Sequence, residues 1–203
     1  MRKIIKQEPE FFTKYIKSFS GDWSECSKEI GFQIREYILH NSSEQMGQCA
    51  YTELALQPDS KSSHIDHLLK REYYPDKRFE WNNIFVSTNT NNYGAKHKDN
   101  KGQLNKENNQ MLINPAMDNP SDYFTYHTWG EIIPKESNHE SLNYKRAKLT
   151  IEAFNLNHKS LVEQRKQMFN DLLSYREFAL DEIKECIPKF HSFVDWYYKN
   201  YSV

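Results

Sequence analysis

The amino-acid sequence predicts an α+β fold that is mainly helical. Apolar residues recur at helical spacing near both ends of the 203-residue chain, whereas the middle holds short alternating and β-branched pieces between turn residues. Asparagine is very frequent over 82–119, and this residue favours caps and turns over helix interiors. We therefore expect an N-terminal helical region over 1–45, a small mixed core over 46–125 that includes a long polar loop, and a C-terminal helical region over 126–203.

Two amphipathic helices are predicted before the mixed core. Residues 9–19 place their apolar side chains on one face, and Pro9 suits a first turn. Residues 24–40 repeat the pattern, and Ser24 is a plausible N-cap. The apolar positions of the two helices are Phe11, Phe12, Tyr15, Ile16, Phe19, Ile30, Ile34, Tyr37 and Ile38.

The mixed core is predicted to contain two short strands and the start of a helix. "SHIDHLL" over 63–69 alternates like a strand, and "NIFVST" over 83–88 is a short β-branched run. A segment rich in Asn, His and Lys follows and reads as a helix start. Residues 99–145 are expected to form an extended surface connection, since prolines interrupt them.

The chain is predicted to end in helices. Residues 146–156 read as one short helix, 158–187 as one long helix and 190–201 as an aromatic helix. The aromatic side chains of the last helix suit either a surface that docks a partner or the protein's own core. They are Phe190, Phe193, Trp196 and Tyr197.

Composition narrows the class of protein. Lys and Arg number 27 against 28 Asp and Glu, so any contact with nucleic acid must come from local patches. Three widely separated cysteines argue against a disulfide framework and favour a reducing cytoplasm. No apolar run is long enough to span a membrane, and the first residues do not read as an export signal. We expect a cytoplasmic protein without a membrane partner.

The stretch "SSHIDHLLKRE" over 62–72 concentrates reactive side chains. It places His64 and His67 around Asp66, and the cations Lys70 and Arg71 follow. A polar exposed turn accounts for this composition. The alternative is a phosphodiester-cleaving site, because a neutral imidazole can deprotonate water and carboxylate or amide oxygens suit Mg²⁺.

Residues 49–165 resemble a known family. The likeness is carried by "CAYTE", "HIDH", "YYPDKRFEWNNIFVS", "YGAKHKD", "LINPAMDNPSDYF", "GEIIP" and "RAKLTIEAFNLNHKSLVEQR", in that order. These pieces resemble the PtuB-like HNH endonucleases of Septu-type antiphage systems, including those encoded beside retrons. The resemblance implies a ββα-metal core and a divalent cofactor, Mg²⁺ or Mn²⁺.

The resemblance also implies roles for individual residues. His67 matches the general base, Asp66 a metal ligand, and Asn83 the asparagine that braces the catalytic loop. A further metal ligand is expected on the short helix, where Asn91, Asn92 and His97 are the candidates and Asn92 is preferred. Finally, His64 shares a strand face with Asp66, so it either lines the catalytic site or serves as a structural hydrogen-bonding residue.

The chain departs from the family at its zinc site. Many members bind zinc through two cysteine pairs, whereas this chain keeps Cys49 and has Thr52, Thr88 and Tyr93 at the other places. One thiolate cannot form a tetrahedral zinc site, so no structural zinc is expected. Aromatic packing must replace it, and the candidates are Tyr51, Trp81, Phe85 and Tyr93.

Basic residues flank the expected site on both sides. Lys70, Arg71, Lys96 and Lys98 either contact the phosphates of nucleic acid or form an ordinary solvated face.

Three functional hypotheses follow. The first is a metal-dependent HNH endonuclease that cleaves DNA as the toxic effector of an antiphage complex. The second keeps this enzyme but gives it an RNA substrate such as tRNA. The third is a catalytically degenerate adaptor. The family implies a PtuA-like ATPase of the ABC/SMC type as partner, and possible further partners are a retron reverse transcriptase and its msDNA.

Overall fold

A computed structural model describes residues 1–175 and 177–201. It confirms the α+β class, with helices surrounding two small two-stranded sheets. The described helices are α1 Glu10–Ser18, α2 Lys28–His40, α3 Ala95–Lys101, α4 Lys106–Asn109, α5 Leu142–Ala153, α6 Lys159–Ser174, α7 Leu180–Cys186 and α8 His191–Tyr201. The described strands are β1 Ser63–His67, β2 Ile84–Thr88, β3 Phe124–Tyr126 and β4 Ile132–Pro134. Within the described ranges, no helix meets the length and hydropathy needed to cross a membrane.

The two N-terminal helices form as expected, except at the start of α2. Its N-cap is Ser27, whose Oγ accepts a hydrogen bond from the amide of Ile30 at 3.2 Å. Ser24 lies instead in a short 3₁₀ turn, Trp23–Glu25, which Asp22 caps. Helix α2 then buries one apolar stripe against both central strands, through Ile30, Ile34, Ile38 and Leu39.

The central strands and α3 form one ββα unit. Strands β1 and β2 pair antiparallel, with Asp66 opposite Phe85. Gly94 makes the turn into α3 at φ +75°, where an added Cβ would lie 2.7 Å from Ser87 Oγ. That hydroxyl accepts the amide of Ala95 at 3.0 Å. Glycine is required here by both the backbone conformation and the close approach, and the contact fixes α3 against the sheet.

The prediction of a plain surface connection over 99–145 is wrong in part. This segment contains the end of α3, the short helix α4 and the hairpin of β3 and β4. Three-residue strands are too short to show a clear alternation, which is why the pattern missed them. Their stability comes from tertiary packing, since β4 lies against α5 and β3 against α8.

The predicted single helix over 158–187 is also corrected. Helix α6 ends at Ser174 and α7 begins at Leu180, and Arg176 between them lies outside the described residues. Both helices bury some of the apolar residues of this segment, such as Leu172 in α6 and Ile183 in α7, while Leu173 is 37% exposed. The apolar spacing over 158–187 therefore predicted helix correctly but missed the break between the two helices.

The aromatic residues of α8 lie mostly in the protein's own core. Phe190, Phe193 and Tyr197 are at most 2% exposed, while Trp196 is partly buried. The ring of Phe193 packs edge-on against Tyr126 of β3 at 5.1 Å between centroids. Of the two alternatives, burial in the core is the correct one for three of the four aromatics.

Candidate active site

Strand β1 presents its reactive side chains on two faces. His64 and Asp66 share one face because side chains alternate along a strand, and His67 belongs to the other. The Asp66 side chain contacts Tyr51 and Lys98, whereas the His67 ring contacts Arg78 and Trp23.

Asp66 is a buried, ion-paired carboxylate. Its side chain is almost inaccessible, with Tyr51 donating to Oδ2 at 2.5 Å and the Lys98 ammonium donating to Oδ1 at 2.9 Å. Burial alone raises the pKa of Asp66, but the positive charge of Lys98 and the two hydrogen bonds outweigh it, so the pKa is lowered overall. Burial and the nearby Asp66 charge raise the pKa of Tyr51, which keeps its hydroxyl a donor. Asp66 is therefore ionised at neutral pH.

Lys98 is an internal cation rather than a surface residue. It is fully buried, and its Nζ lies 2.9 Å from Asp66 Oδ1 and 3.2 Å from Asp99 Oδ1. The same ammonium lies 2.6 Å from the carbonyl oxygen of His67 and 3.5 Å from that of Leu68. The expectation that Lys98 lies on a nucleic-acid-binding face therefore does not match its position, because its ammonium is buried and contacts these four oxygens.

The donors that suit a divalent ion are His64, Asp66 and Asp99. One ligand atom from each lies within 4.8 Å of the others, and carboxylate and imidazole donors are chemically suited to Mg²⁺ or Mn²⁺. Both carboxylates already bind the Lys98 ammonium, however. The donor set fits a divalent ion on condition that Lys98 gives up at least part of its contacts.

The other expected metal ligands lie elsewhere. His97 points to α5, where its Nδ1 lies 2.9 Å from the carbonyl oxygen of Ala153. Asn92 is exposed, and its backbone carbonyl accepts a hydrogen bond from Asn155. Helix α3 begins only at Ala95, so the helix turn that meets Asp66 carries Lys98 and Asp99. The sequence did not fix the helix register, and the preferred ligand was misplaced for that reason.

His67 is a neutral imidazole with a defined tautomer. Its Nε2 lies 2.8 Å from the carbonyl oxygen of Arg78. A carbonyl can only accept, so Nε2 carries the proton and Nδ1 keeps its lone pair. The Trp23 ring packs edge-on against the imidazole at 4.4 Å between centroids. Burial lowers the pKa of His67 to about 4, against the opposing charge of Asp66, so the imidazole is neutral at pH 7 and Nδ1 keeps its lone pair.

Asn83 holds the loop that follows His67. Its Oδ1 accepts the amide of Leu69 at 2.7 Å, while its Nδ2 donates to the carbonyl oxygens of Leu69 at 3.1 Å and Lys77 at 3.0 Å. One side chain thus ties the end of β1 to the segment before β2, which is the geometry that a loop-bracing residue requires.

His64 and three of the expected cations remain near solvent. Burial lowers the pKa of His64, and Asp66 opposes this shift. Lys96 is half-buried, Lys70 donates to the carbonyl oxygen of Asp99 at 3.2 Å, and exposed Arg71 lies 3.9 Å from Asp22. The contact of these cations with nucleic acid stays a prediction.

Sequence reasoning missed two groups that complete the site. Asp99 follows Lys98 directly and could have been found only with the register of α3. The carbonyl oxygen of Arg78 orients His67 from eleven residues away, and no side-chain pattern reports a backbone contact. Tyr51 was expected to pack, which it does, but its hydroxyl also binds Asp66.

Comparison with known proteins gives one informative match. No family model matches the chain. Septu protein PtuB from Bacillus thuringiensis is 23% identical over 121 residues, which cover 60% of this chain and 41% of that protein. The chain therefore spans less than half the length of the relative that it matches. The match supports a likeness to the Septu PtuB proteins.

Proposed function

We propose that this chain is the nuclease subunit of a Septu-type antiphage complex and hydrolyses phosphodiester bonds. The observation that carries the proposal is the state of His67, a neutral imidazole whose Nε2–H is fixed by the Arg78 carbonyl. A general base must be unprotonated and held in one direction, and His67 meets both conditions, while its pKa near 4 makes it a weaker base than an imidazole whose pKa matches neutral pH. The similarity to Septu protein PtuB is the reason for proposing a role in an antiphage complex.

The chain's own residues suggest a division of labour. His67 Nδ1 takes the proton of the attacking water, and Asn83 keeps the strand end in place while it does so. His64, Asp66 and Asp99 would hold a divalent ion, Mg²⁺ or Mn²⁺, which when bound supplies positive charge to the scissile phosphate and the leaving oxygen.

The proposed chemistry does not distinguish a DNA strand from an RNA strand. Because water is the nucleophile, the 2′-hydroxyl of RNA is not required, and DNA and RNA such as tRNA are both candidate substrates. The proposed partner is a PtuA-like ATPase of the ABC/SMC type, and a retron reverse transcriptase with its msDNA is a further candidate.

A second candidate function is a catalytically degenerate adaptor that binds the ATPase. The observation that favours it is the Lys98 ammonium, which contacts two of the three candidate metal donors. In an adaptor this ion pair would be permanent and would stabilise the ββα unit without any catalytic step.

One experiment separates the two functions. The assembled complex is incubated with labelled DNA and with total RNA, with Mg²⁺ or with EDTA, and with His67→Ala as the matched variant. A nuclease gives cleavage that depends on the metal and on His67. Phage protection that persists in full with His67→Ala would establish the adaptor instead.

A further inference from the structure

A cleft of about 500 Å³ lies beside the candidate active site. One wall is the start of α2 with the preceding 3₁₀ turn, which contributes Trp23, Lys28 and Arg35. The opposite wall is β1, which contributes His64 and Ile65. His64 also belongs to the cluster with Asp66 and Asp99, so this residue links the cleft to the candidate metal donors.

The side chains that line the cleft include two cations, and the carboxylate of Asp59 lies near one of them. Lys28 and Arg35 line it, and none of the described lining residues is acidic. The chain as a whole has slightly more acidic than basic residues, so this imbalance is local. The first turn of α2 adds the positive end of a 13-residue helix to the same wall.

Arg35 has capacity left for a ligand. Its Nη1 donates to the carbonyl oxygen of Gly31 at 3.0 Å, and its Nε is buried out of reach of a ligand. The Nη2 group has no hydrogen-bond partner among the described residues and is the donor that remains for a ligand. The charge of Asp59 acts to raise the pKa of Arg35. The Oδ1 atom of Asp59 already accepts the amides of Lys61 at 2.7 Å and Ser62 at 2.9 Å. A guanidinium with a free donor suits a phosphate, which it binds with two parallel hydrogen bonds.

Trp23 gives the cleft an aromatic surface and a link to His67. The indole is partly exposed and lines the cleft, while its ring also packs against the imidazole of His67. Of the two histidines of β1, His64 lines the cleft, whereas His67 lies behind Trp23. Aromatic faces in positively charged grooves are the usual means of binding unpaired bases.

We propose that this cleft binds one unpaired nucleotide of a nucleic-acid strand and places the neighbouring phosphodiester next to His64. Arg35 and Lys28 hold the phosphate, and Trp23 stacks on the base. The volume suits a single small ligand, and a base inside a duplex has no free face to offer. The inference rests on the proposed nuclease function and adds to it a preference for unpaired strands.

The test measures binding without cleavage. Fluorescein-labelled dT₁₂ and rU₁₂ are titrated with the full chain in EDTA, and fluorescence anisotropy is recorded. Arg35→Glu should weaken binding by about tenfold or more, because one phosphate contact is replaced by repulsion. Lys28→Glu should weaken it as well and cannot harm α2, since an acid in the first turn favours a helix. Lys166→Ala, which changes an exposed cation of α6, is the control and should bind as the wild type does.

A competition experiment tests the preference for unpaired strands. An unlabelled 12-base-pair duplex should displace the labelled strand at least about tenfold less well than unlabelled dT₁₂, because paired bases cannot stack on Trp23. Equal competition by the duplex, wild-type binding by both Arg35→Glu and Lys28→Glu, or no binding of either oligonucleotide by the wild type would overturn the cleft proposal. Since cleavage is absent in EDTA, failure of the cleft is distinguishable from failure of the nuclease assignment.

Discussion

The two faces of β1 handle charge in opposite ways. On the Asp66 face, a buried carboxylate and a buried ammonium compensate each other, with Tyr51 and Asp99 completing the contacts. On the His67 face, burial removes the charge, and a carbonyl and an indole surround a neutral imidazole. Adjacent residues of one strand can therefore hold a permanent charge and a proton acceptor side by side, because alternation keeps their surroundings separate.

Lys98 contacts both Asp66 and the backbone of His67. Its ammonium binds the Asp66 carboxylate and also the backbone carbonyl of His67. The comparison therefore predicts that substitutions on the His67 face change the transfer of the proton and the pH dependence of stability, whereas substitutions on the Asp66 face change ion binding and the stability of the buried ion pair.

The largest expected effect comes from removing the imidazole. His67→Ala should reduce the rate of nucleic-acid cleavage by the assembled complex by about 10²–10⁴-fold, the range for loss of a general base. His97→Ala is the matched control, because His97 bonds to Ala153 and lies off the site. Equal losses in both variants would remove the distinction between the two histidines.

The next effect concerns the buried ion pair. Lys98→Met should lower the free energy of unfolding by about 3–5 kcal/mol, because Asp66 is left buried and unpaired. The same variant should bind Mn²⁺ more tightly than the wild type in electron paramagnetic resonance titrations, since the competing ammonium is gone. Lys96→Met on the same helix is the control and should change stability by less than about 0.5 kcal/mol. Unchanged Mn²⁺ affinity would show that Lys98 does not compete with a divalent ion.

A pH dependence of stability should come from the His67 face. The pKa of His67 is about 4 in the folded protein against a reference value of 6.5, so between these values the unfolded chain binds more protons. The stability contribution is thus fully present above about pH 6.5 and is lost as the pH falls toward 4, by about 3 kcal/mol at most. Urea unfolding from pH 4 to 7 should show this slope in the wild type and a smaller slope in His67→Gln. Parallel curves would contradict the buried neutral imidazole.

The smallest expected effect concerns the segment between β1 and β2, which Asn83 holds in place. Asn83→Ala removes three hydrogen bonds to the backbone and should cost about 1–3 kcal/mol of stability. Its neighbour Asn82 is exposed, so Asn82→Ala should leave the urea midpoint nearly unchanged. A similar midpoint shift in both variants would argue against a bracing role for Asn83.

The spacing of apolar residues predicted an element correctly where that element buries one face along its own length. The amphipathic spacing of α1 and α2 and the β-branched run of β2 gave the right elements, because burial of one face imposes the period. Of the four aromatics expected to pack in place of zinc, Tyr51, Trp81 and Phe85 are buried, and Tyr93 is partly buried. The hairpin of β3 and β4 was missed because its strands are held by α5 and α8 rather than by their own pattern.

The sequence by itself determined the α+β class, the position of β1 and the grouping of His64, Asp66 and His67 on one strand, because these follow from composition and local period. Only the tertiary structure decided which residues complete the site. Whether Asn92, Lys98 or Asp99 meets Asp66 depends on where α3 begins and how Gly94 turns it onto the sheet. That contact spans about 30 residues of chain, and no local pattern encodes a distance across such a separation.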